Sequence, residues 1–411
     1  MATRNPPRAT SSRRFGLMFS SAALACSIAF AWPAAMGTVS HTRNEIWGID
    51  QFGIKQTLSN DFLANRLPQQ LALPDQPDLT GHVHYSIDQT LQQAMQAELE
   101  KHKPDYGMVL AMDAETGEIL TMTDFRRDGV TDGNQNLKAT YPAASVFKTI
   151  TAAAAIDLGK ASSDTILPYN GKATSLYKKQ VLKHRNNKWT QHKSLEHSFS
   201  KSVNTVFARL GIFTIGGESL QDYADKFLFN QPVETDLPLP PSSIEMDPAD
   251  DWSIAETASG YTRGTNISPV HGAMLAAAMI NDGVMVAPNI VETVTDRHGI
   301  ILFEAETPKR YVAIKPETAA EMRELMKRTV SNGSARRQFR GFSKRFKNVE
   351  VGGKTGSLTG FHPKGKYDWF VGYATDGERK IAYAVLCINK EYWYVKSAHL
   401  ARRLIENYFS S

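Results

Sequence analysis

Three short polar motifs, far apart along the chain, limit the folds open to it. In order they are Ser145-Val146-Phe147-Lys148, Ser202-Val203-Asn204 and Lys354-Thr355-Gly356-Ser357. A serine hydroxyl is a poor nucleophile near neutral pH, so it needs a neighbouring base, a group that passes the proton on and donors for a developing oxyanion. The motifs contain side chains for each task. A fold that brings them together would therefore support acyl-enzyme chemistry.

The first motif is informative because of the residues C-terminal to it. Ser-x-x-Lys also occurs at Ser175 and Ser198, so the pattern alone is weak and fits a helix N-cap serine with a solvated lysine. Ser145, however, begins an apolar segment that stops at Gly159, which is typical of a buried helix. Lys148 then lies on the same helix face as the serine. Burial and a cationic neighbour would favour its neutral form, which accepts a proton.

The other two motifs carry complementary chemistry. Ser202 and Asn204 can share one side of a non-helical turn as a proton relay and an amide clamp, although each alone would suit an ordinary helix cap. Lys354 follows the strand-like segment 349–353, whose two glycines permit close approach of a ligand. Alone, this third motif would fit an edge strand with an exposed lysine and threonine.

In this order the motifs resemble those of the transpeptidase domain of penicillin-binding proteins, which shares its fold with serine β-lactamases. The similarity extends from about Tyr85 to Phe409 and includes a hairpin over 107–122 and a helix that begins at Ser268-Pro269. It implies an α/β fold with an antiparallel sheet flanked by helices, plus an all-helical subdomain. The distribution of strand-like segments predicts that both ends of the chain contribute to the sheet.

The resemblance also implies a role for each motif residue. Ser145 would attack the carbonyl of a D-Ala-D-Ala stem peptide, and Lys148 would take its proton. Ser202 would relay a proton to the departing D-alanine, while Asn204 would hold a substrate amide. The third motif would contribute positive potential from Lys354, a carboxylate contact from Thr355, close approach at Gly356 and, with the N–H of Ser145, an oxyanion donor from the N–H of Ser357.

Several activities agree with this family, and the sequence ranks them. A peptidoglycan D,D-transpeptidase that binds β-lactams covalently is the leading hypothesis, and a D,D-carboxypeptidase differs from it only in using water as the acceptor. A β-lactamase would need a water-activating base, which we do not identify; class A enzymes carry Ser-Asp-Asn where this chain has Ser-Val-Asn. A non-catalytic scaffold or antibiotic sensor is the remaining alternative.

The residue before the nucleophile departs from the family pattern. Ala144 stands where the family usually has glycine.

The N-terminal region predicts attachment to a membrane. Residues 15–36 are apolar and uncharged, long enough to cross a bilayer, and follow a basic leader over 1–14 that would stay in the cytoplasm. We expect a single-pass anchor in the bacterial inner membrane with a periplasmic catalytic domain, although Ala29-Phe30-Ala31 would also suit signal-peptide cleavage. Residues 37–80 are expected to form a stalk or linker, and 81–411 the transpeptidase domain. A tether this short limits reach, so a glycan-polymerising partner would supply nascent strands.

Charge and cysteine content narrow the remaining possibilities. The net charge of +5 is concentrated in two basic runs, 172–193 and 336–347, which suit solvated loops or an anionic partner such as wall polymer or lipid head groups. No nucleic acid partner is expected for an exported chain. The two cysteines, Cys26 and Cys387, form no metal-ligand cluster and are not expected to pair. The proposed chemistry needs neither a metal nor another cofactor.

Overall fold

A computed structural model describes residues 50–410, apart from 65, 74–75 and 184–185. The helices are α1 (Gln51–Leu63), α2 (Gln89–His102), α3 (Lys148–Asp157), α4 (Lys178–Val181), α5 (Leu195–Ser200), α6 (Asn204–Leu210), α7 (Gly217–Lys226), α8 (Asp251–Ser259), α9 (Pro269–Ile280), α10 (Pro316–Ser331), α11 (Phe342–Arg345) and α12 (Ser397–Tyr408). The strands are β1 (Gln70–Leu73), β2 (Gln76–Tyr85), β3 (Tyr106–Asp113), β4 (Ile119–Arg126), β5 (Tyr141–Pro142), β6 (Ile166–Tyr169), β7 (Gln191–Ser194), β8 (Ser243–Ile244), β9 (Thr265–Ile267), β10 (Val284–Val286), β11 (Val291–Thr295), β12 (Ile301–Glu304), β13 (Arg310–Val312), β14 (Glu350–Phe361), β15 (Lys364–Thr375) and β16 (Lys380–Asn389).

The central sheet is antiparallel and has the strand order β14-β15-β16-β3-β4. Strand β16 lies beside β3, with Ile388 opposite Tyr106. The prediction that both ends of the chain build the sheet is therefore confirmed. The hairpin of β3 and β4 is also as predicted, and its turn is closed by Asp113, whose carboxylate accepts from the N–H groups of Glu115 and Thr116 at 2.8 Å each.

Strand β3 is buried on both faces because helices cover both sides of the sheet. Its side chains alternate between two hydrophobic cores, so that Met108 and Leu110 belong to the core on one face and Val109 and Ala111 to the core on the other. Helices α3 and α9 contribute to the first core, whereas α2 and α12 contribute to the second. The sheet is thus the middle layer of three.

The segment that carries the first two motifs is mainly helical and packs on the first face of the sheet. Helix α9 begins as expected at Ser268, whose hydroxyl accepts from the N–H of His271, with Pro269 in the first turn. The subdomain is not all-helical, however. Two small antiparallel sheets lie within it, one of β6 and β7 and one with the strand order β5-β9-β8, in which Tyr141 lies opposite Ile267.

The region expected to be a stalk, 37–80, is instead partly integrated into the fold. Helix α1 buries Ile54, Leu58 and Phe62, whose spacing of four residues places them on one helix face, in the same core as α3. Strands β1 and β2 join β11 and β12 in a second sheet, and the expected boundary at residue 80 lies inside β2. The three prolines of this region lie after α1, so they do not interrupt it.

The leader and the anchor segment, residues 1–36, lie outside the described residues. Between residues 50 and 410, with the gaps noted above, no helix has both the length and the apolar character that a bilayer crossing requires.

Candidate active site

The turn before α3 places Ser145 at the mouth of the site. Residues Ala144–Phe147 form a 3-10 turn that continues directly into α3, so the serine and Lys148 share one face as predicted. Ala144 has a φ of 50°, in the left-handed region that costs an L-residue with a side chain about 1–2 kcal/mol. The backbone therefore keeps a conformation that favours glycine even though alanine occupies the position.

Lys148 is fully buried and makes three contacts with its amine. Its Nζ lies 2.7 Å from Oγ of Ser145 and 2.8 Å from Oδ1 of Asn204, and it also donates to the carbonyl oxygen of Ser259. Burial, and then the positive charge of Lys354, hold the pKa of Lys148 well below its usual value. A neutral amine at 2.7 Å from the hydroxyl is correctly placed to accept its proton.

The second motif lies in the turn that leads into α6. Ser202 has a φ of 58° and so occupies the left-handed region, and Val203 follows it as the N-cap of α6. The side-chain amide of Asn204 donates to the carbonyl oxygen of Thr174 at 2.9 Å, which fixes its Oδ1 toward Lys148. The non-helical turn predicted at this motif is present, and it directs Ser202 toward the third motif.

The third motif lies on β14, at the edge of the central sheet. Lys354 is buried, and its Nζ donates to Oγ of Ser202 at 3.1 Å and to the carbonyl oxygen of Thr355 at 2.8 Å. Burial lowers the pKa of Lys354 to about 7. Thr355 pairs its hydroxyl with that of Ser334 at 2.5 Å. One chain of hydrogen bonds therefore runs from Ser145 through Lys148 to Asn204 and joins the first two motifs. A second hydrogen bond, from Lys354 to Ser202, joins the third motif to the second.

Two glycines allow the nucleophile turn to pack closely against its neighbours. A Cβ on Gly356 would lie 3.2 Å from Val146 and 3.4 Å from the carbonyl oxygen of Ala143, so β14 sits directly against this turn. Gly260 ends α8 with a φ of 63°, and a Cβ there would lie 1.9 Å from the carbonyl oxygen of Ala144. The position of Ser145 therefore depends on a glycine that lies far from it in sequence.

Replacing Gly260 with alanine is expected to displace the nucleophile turn. The backbone penalty of about 1 kcal/mol adds to a steric penalty of about 1–3 kcal/mol, so we expect a loss of about 2–4 kcal/mol in the free energy of unfolding and slower acylation. Chemical denaturation and labelling with penicillin measure the two effects.

The matched control for this variant is Gly299→Ala. Gly299 also has a left-handed φ, 79°, but nothing lies within 4 Å of a Cβ at that position. It should lose only the backbone part, about 1 kcal/mol, and acylate at the wild-type rate. Equal losses in the two variants would contradict the steric explanation.

A groove of about 420 Å³ extends from the third motif and is open to solvent. Ser357, Glu256, Arg263, Tyr367 and Trp393 are among the side chains that line it. Its walls combine charged and aromatic side chains, which suits a peptide substrate with charged groups. A buried lysine with a lowered pKa beside a serine hydroxyl, next to such a groove, is suited to acyl transfer from a peptide to the serine.

The structure brings Ser145, Lys148, Ser202, Asn204, Lys354 and Thr355 into one hydrogen-bonded site, and Ser357 opens onto the adjoining groove. Sequence reasoning did not identify Ser259, Gly260 or Ser334. Ser259 acts through its backbone carbonyl, which any residue possesses, and Ser334 is one of many serines in a polar turn. Gly260 at the end of α8 matches a helix stop, but that pattern does not reveal what packs against it.

Comparisons with known proteins agree with this geometry. A family model described as "Penicillin binding protein transpeptidase domain" matches residues 107–406. The peptidoglycan D,D-transpeptidase PbpA of Mycolicibacterium smegmatis is 26% identical over an alignment of 338 residues that covers 74% of this chain and 67% of PbpA. The probable peptidoglycan D,D-transpeptidase FtsI of Caulobacter vibrioides is 27% identical over an alignment of 305 residues that covers 69% of this chain and 47% of FtsI. The chain thus spans between about half and two thirds of the length of these two relatives.

Among solved structures, the penicillin G acyl-enzyme complex of penicillin-binding protein A from M. tuberculosis superposes with a TM-score of 0.61 at 25% identity. The superposition covers 80% of this chain and 81% of that one.

Proposed function

This chain belongs to the penicillin-binding protein transpeptidase family, and from that premise we propose that it is a peptidoglycan D,D-transpeptidase. Its substrates would be stem peptides that end in D-Ala-D-Ala, and β-lactams would acylate the same serine. The observation that carries the proposal is the 2.7 Å contact between Oγ of Ser145 and Nζ of Lys148, because that amine is fully buried and has a strongly lowered pKa.

In the first half of the reaction, Oγ of Ser145 attacks the carbonyl carbon between the two D-alanines while Lys148 takes the hydroxyl proton. The backbone N–H groups of Ser145 and Ser357 stabilise the oxyanion. The C–N bond then breaks, and the proton that Lys148 took passes to the departing amine of D-alanine through Ser202, which accepts a hydrogen bond from Lys354. Lys148 is then neutral again. An ester to Ser145 remains, and free D-alanine leaves.

In the second half, the amine of another stem peptide attacks the ester carbonyl. The amine loses a proton to Lys148. The C–O bond to Ser145 then breaks, and Lys148 returns that proton to the serine oxygen. Asn204 holds a substrate amide, and Thr355 binds the terminal carboxylate of the donor next to the positive potential of Lys354. Water in place of the amine would yield the carboxypeptidase reaction by the same steps.

Full-length protein is expected to form a penicillin adduct that persists for hours. The reason is that, among the described residues, the hydrogen-bonded site holds no carboxylate beside Ser145 that would activate a water. Fluorescent penicillin, gel imaging over time and intact-mass analysis measure the adduct. Its persistence, together with cross-linking of stem peptides and release of D-alanine, supports a transpeptidase.

The control is Glu256→Gln, which removes the carboxylate that lines the adjoining groove. Its adduct should last as long as the wild-type adduct. Rapid loss of label from the wild-type protein and longer retention by this variant would instead assign a β-lactamase with Glu256 as its deacylating base. Labelling without any release of D-alanine from peptides would favour an antibiotic sensor.

We further propose that residues 15–36 remain as a single-pass anchor, which holds the catalytic domain on the periplasmic face of the inner membrane. The support is the apolar, uncharged segment behind a leader with four arginines. A tether from residue 37 to α1 at Gln51 is short, so the site would stay near the membrane, where a glycan-polymerising partner can supply new strands.

Full-length protein expressed in a bacterium is expected to sediment with membranes, because the apolar segment stays in the bilayer. It should resist extraction by high salt and be released by detergent. The matched control is the same chain with Leu24→Arg and Ile28→Arg, which should reach the soluble fraction or fail to be exported. A mature soluble form that starts near Trp32 would contradict the anchor and identify a cleaved signal peptide.

A further inference from the structure

Three potential metal ligands meet on the face of the sheet opposite the nucleophile helix. Glu98 and His102 lie four residues apart on one face of α2, and His399 lies in the first turn of α12. One ligand atom from each side chain falls within 4.8 Å of the others. The rings of the two histidines meet edge to face, with centroids 5.5 Å apart. Helices α2 and α12 pack in the second core, whereas Ser145 and α3 border the first.

Two buried polar atoms of this cluster lack hydrogen-bond partners among the described residues. Oε2 of Glu98 and Nε2 of His102 are both inaccessible to solvent and make no hydrogen bond among the described residues, although they lie 3.4 Å apart. Two ligands of a tetrahedral zinc ion, each about 2.0–2.1 Å from the metal, lie about 3.3 Å apart. The pair is therefore spaced as zinc ligands are, and a buried carboxylate oxygen without a donor is costly unless a cation satisfies it.

The charged side chains around the cluster leave Oε2 of Glu98 available to a metal ion. Arg403 donates to the other carboxylate oxygen of Glu98, Oε1, at 3.0 Å, an outer contact that orients a metal-binding carboxylate. Lys101 approaches Oε2 to 3.6 Å, but its side chain is 65% exposed and is free to turn into solvent.

We propose that Glu98 and His102 of α2 and His399 of α12 bind a zinc ion, with water as the fourth ligand. A ligand set of two imidazoles and one carboxylate is typical of zinc, and the 3.4 Å between Nε2 of His102 and Oε2 of Glu98 agrees with it. The ion would join two helices that are far apart in sequence and so stabilise the C-terminal helix on the sheet. It would play no part in acyl transfer.

Full-length protein in detergent, stripped with a chelator and dialysed, tests the site. Titration with Zn²⁺ in competition with a chromogenic chelator should give one equivalent bound, and bound zinc should raise the melting temperature. His102→Ala and His399→Ala should each lower the affinity at least ~100-fold, because even loss of an outer contact typically costs ~10–100-fold. The matched control is His298→Ala, which removes an exposed histidine and should bind like the wild type.

Penicillin acylation shows whether each variant is folded, since the zinc site lies apart from Ser145. His102→Ala that acylates normally but binds no zinc supports the site. Binding of Co²⁺ with the intense visible absorption of a tetrahedral complex would identify the geometry. Less than one equivalent of zinc on the wild type, or unchanged affinity in acylation-competent His102→Ala and His399→Ala, would overturn the proposal.

Discussion

Full-length protein that carries Ser145→Ala is expected to form no covalent adduct with penicillin at any time or concentration. The variant lacks the oxygen on which we propose that the ester forms, while the Lys148 amine keeps its contacts with Oδ1 of Asn204 and the carbonyl oxygen of Ser259. The alanine should fit without strain, because Ser145 lies in a 3-10 turn and is only partly buried. Intact mass and peptide mapping measure the result.

The matched control is Ser175→Ala, which removes the serine of another Ser-x-x-Lys pattern from a polar loop. This variant should be labelled like the wild type, with the adduct mapped to Ser145. Label on the Ser145→Ala variant would contradict the assignment of the nucleophile. Equal thermal stability of both variants and the wild type would show that absence of label does not reflect unfolding.

Lys148→Arg is expected to reduce the acylation rate by about 10²–10⁴-fold, because arginine stays protonated and cannot act as a base. Lys148 is fully buried, so the larger guanidinium of arginine is expected to lower the free energy of unfolding. Lys148→Met provides a second variant with a similar volume and no charge, and it should lose acylation to the same extent. Stopped-flow labelling measures the rates, and near wild-type acylation by either folded variant would place the base elsewhere.

The pH dependence of acylation is an independent measure of the proposed roles of Lys148 and Lys354. Lys148 must be neutral, so the rate should rise with pH through its lowered pKa, whereas Lys354 must be charged, so the rate should fall as pH climbs past about 7. Lys354→Arg keeps its charge and should remove the falling limb while leaving the rising limb. A profile in this variant that still falls above about pH 7 would contradict the role of Lys354.

Local patterns predicted much of the fold because they depend on neighbouring residues. The apolar segment after Ser145 becomes α3, the Ser268-Pro269 start becomes α9, and the hairpin around Asp113 forms as expected. The three motifs also lie on the kinds of element expected for them: the start of a helix, a non-helical turn and a strand.

Contacts between distant segments could not be predicted in the same way. The stalk expected up to residue 80 contains α1, because Ile54, Leu58 and Phe62 form an apolar helix face that finds its partners in the distant core and that the later prolines do not interrupt. Gly260 acts through a backbone contact with Ala144, which no local pattern records. His399 meets Glu98 only because α12 lies beside α2, so the histidines appeared as isolated residues in the sequence.

The strand order of the central sheet also determines when the molecule can first become active during synthesis. Strand β3 gains its second neighbour in the sheet only when β16 pairs with it. This pairing runs from Ile388 opposite Tyr106 to Ile381 opposite Asp113. Before β16 is available for pairing, the nucleophile helix and the edge strand with Lys354 have no complete sheet to hold them together. Pairing across so long a stretch of chain slows folding. A chain that stops between Ser357 and Lys380 would therefore carry every residue of the three motifs and yet remain unreactive towards penicillin.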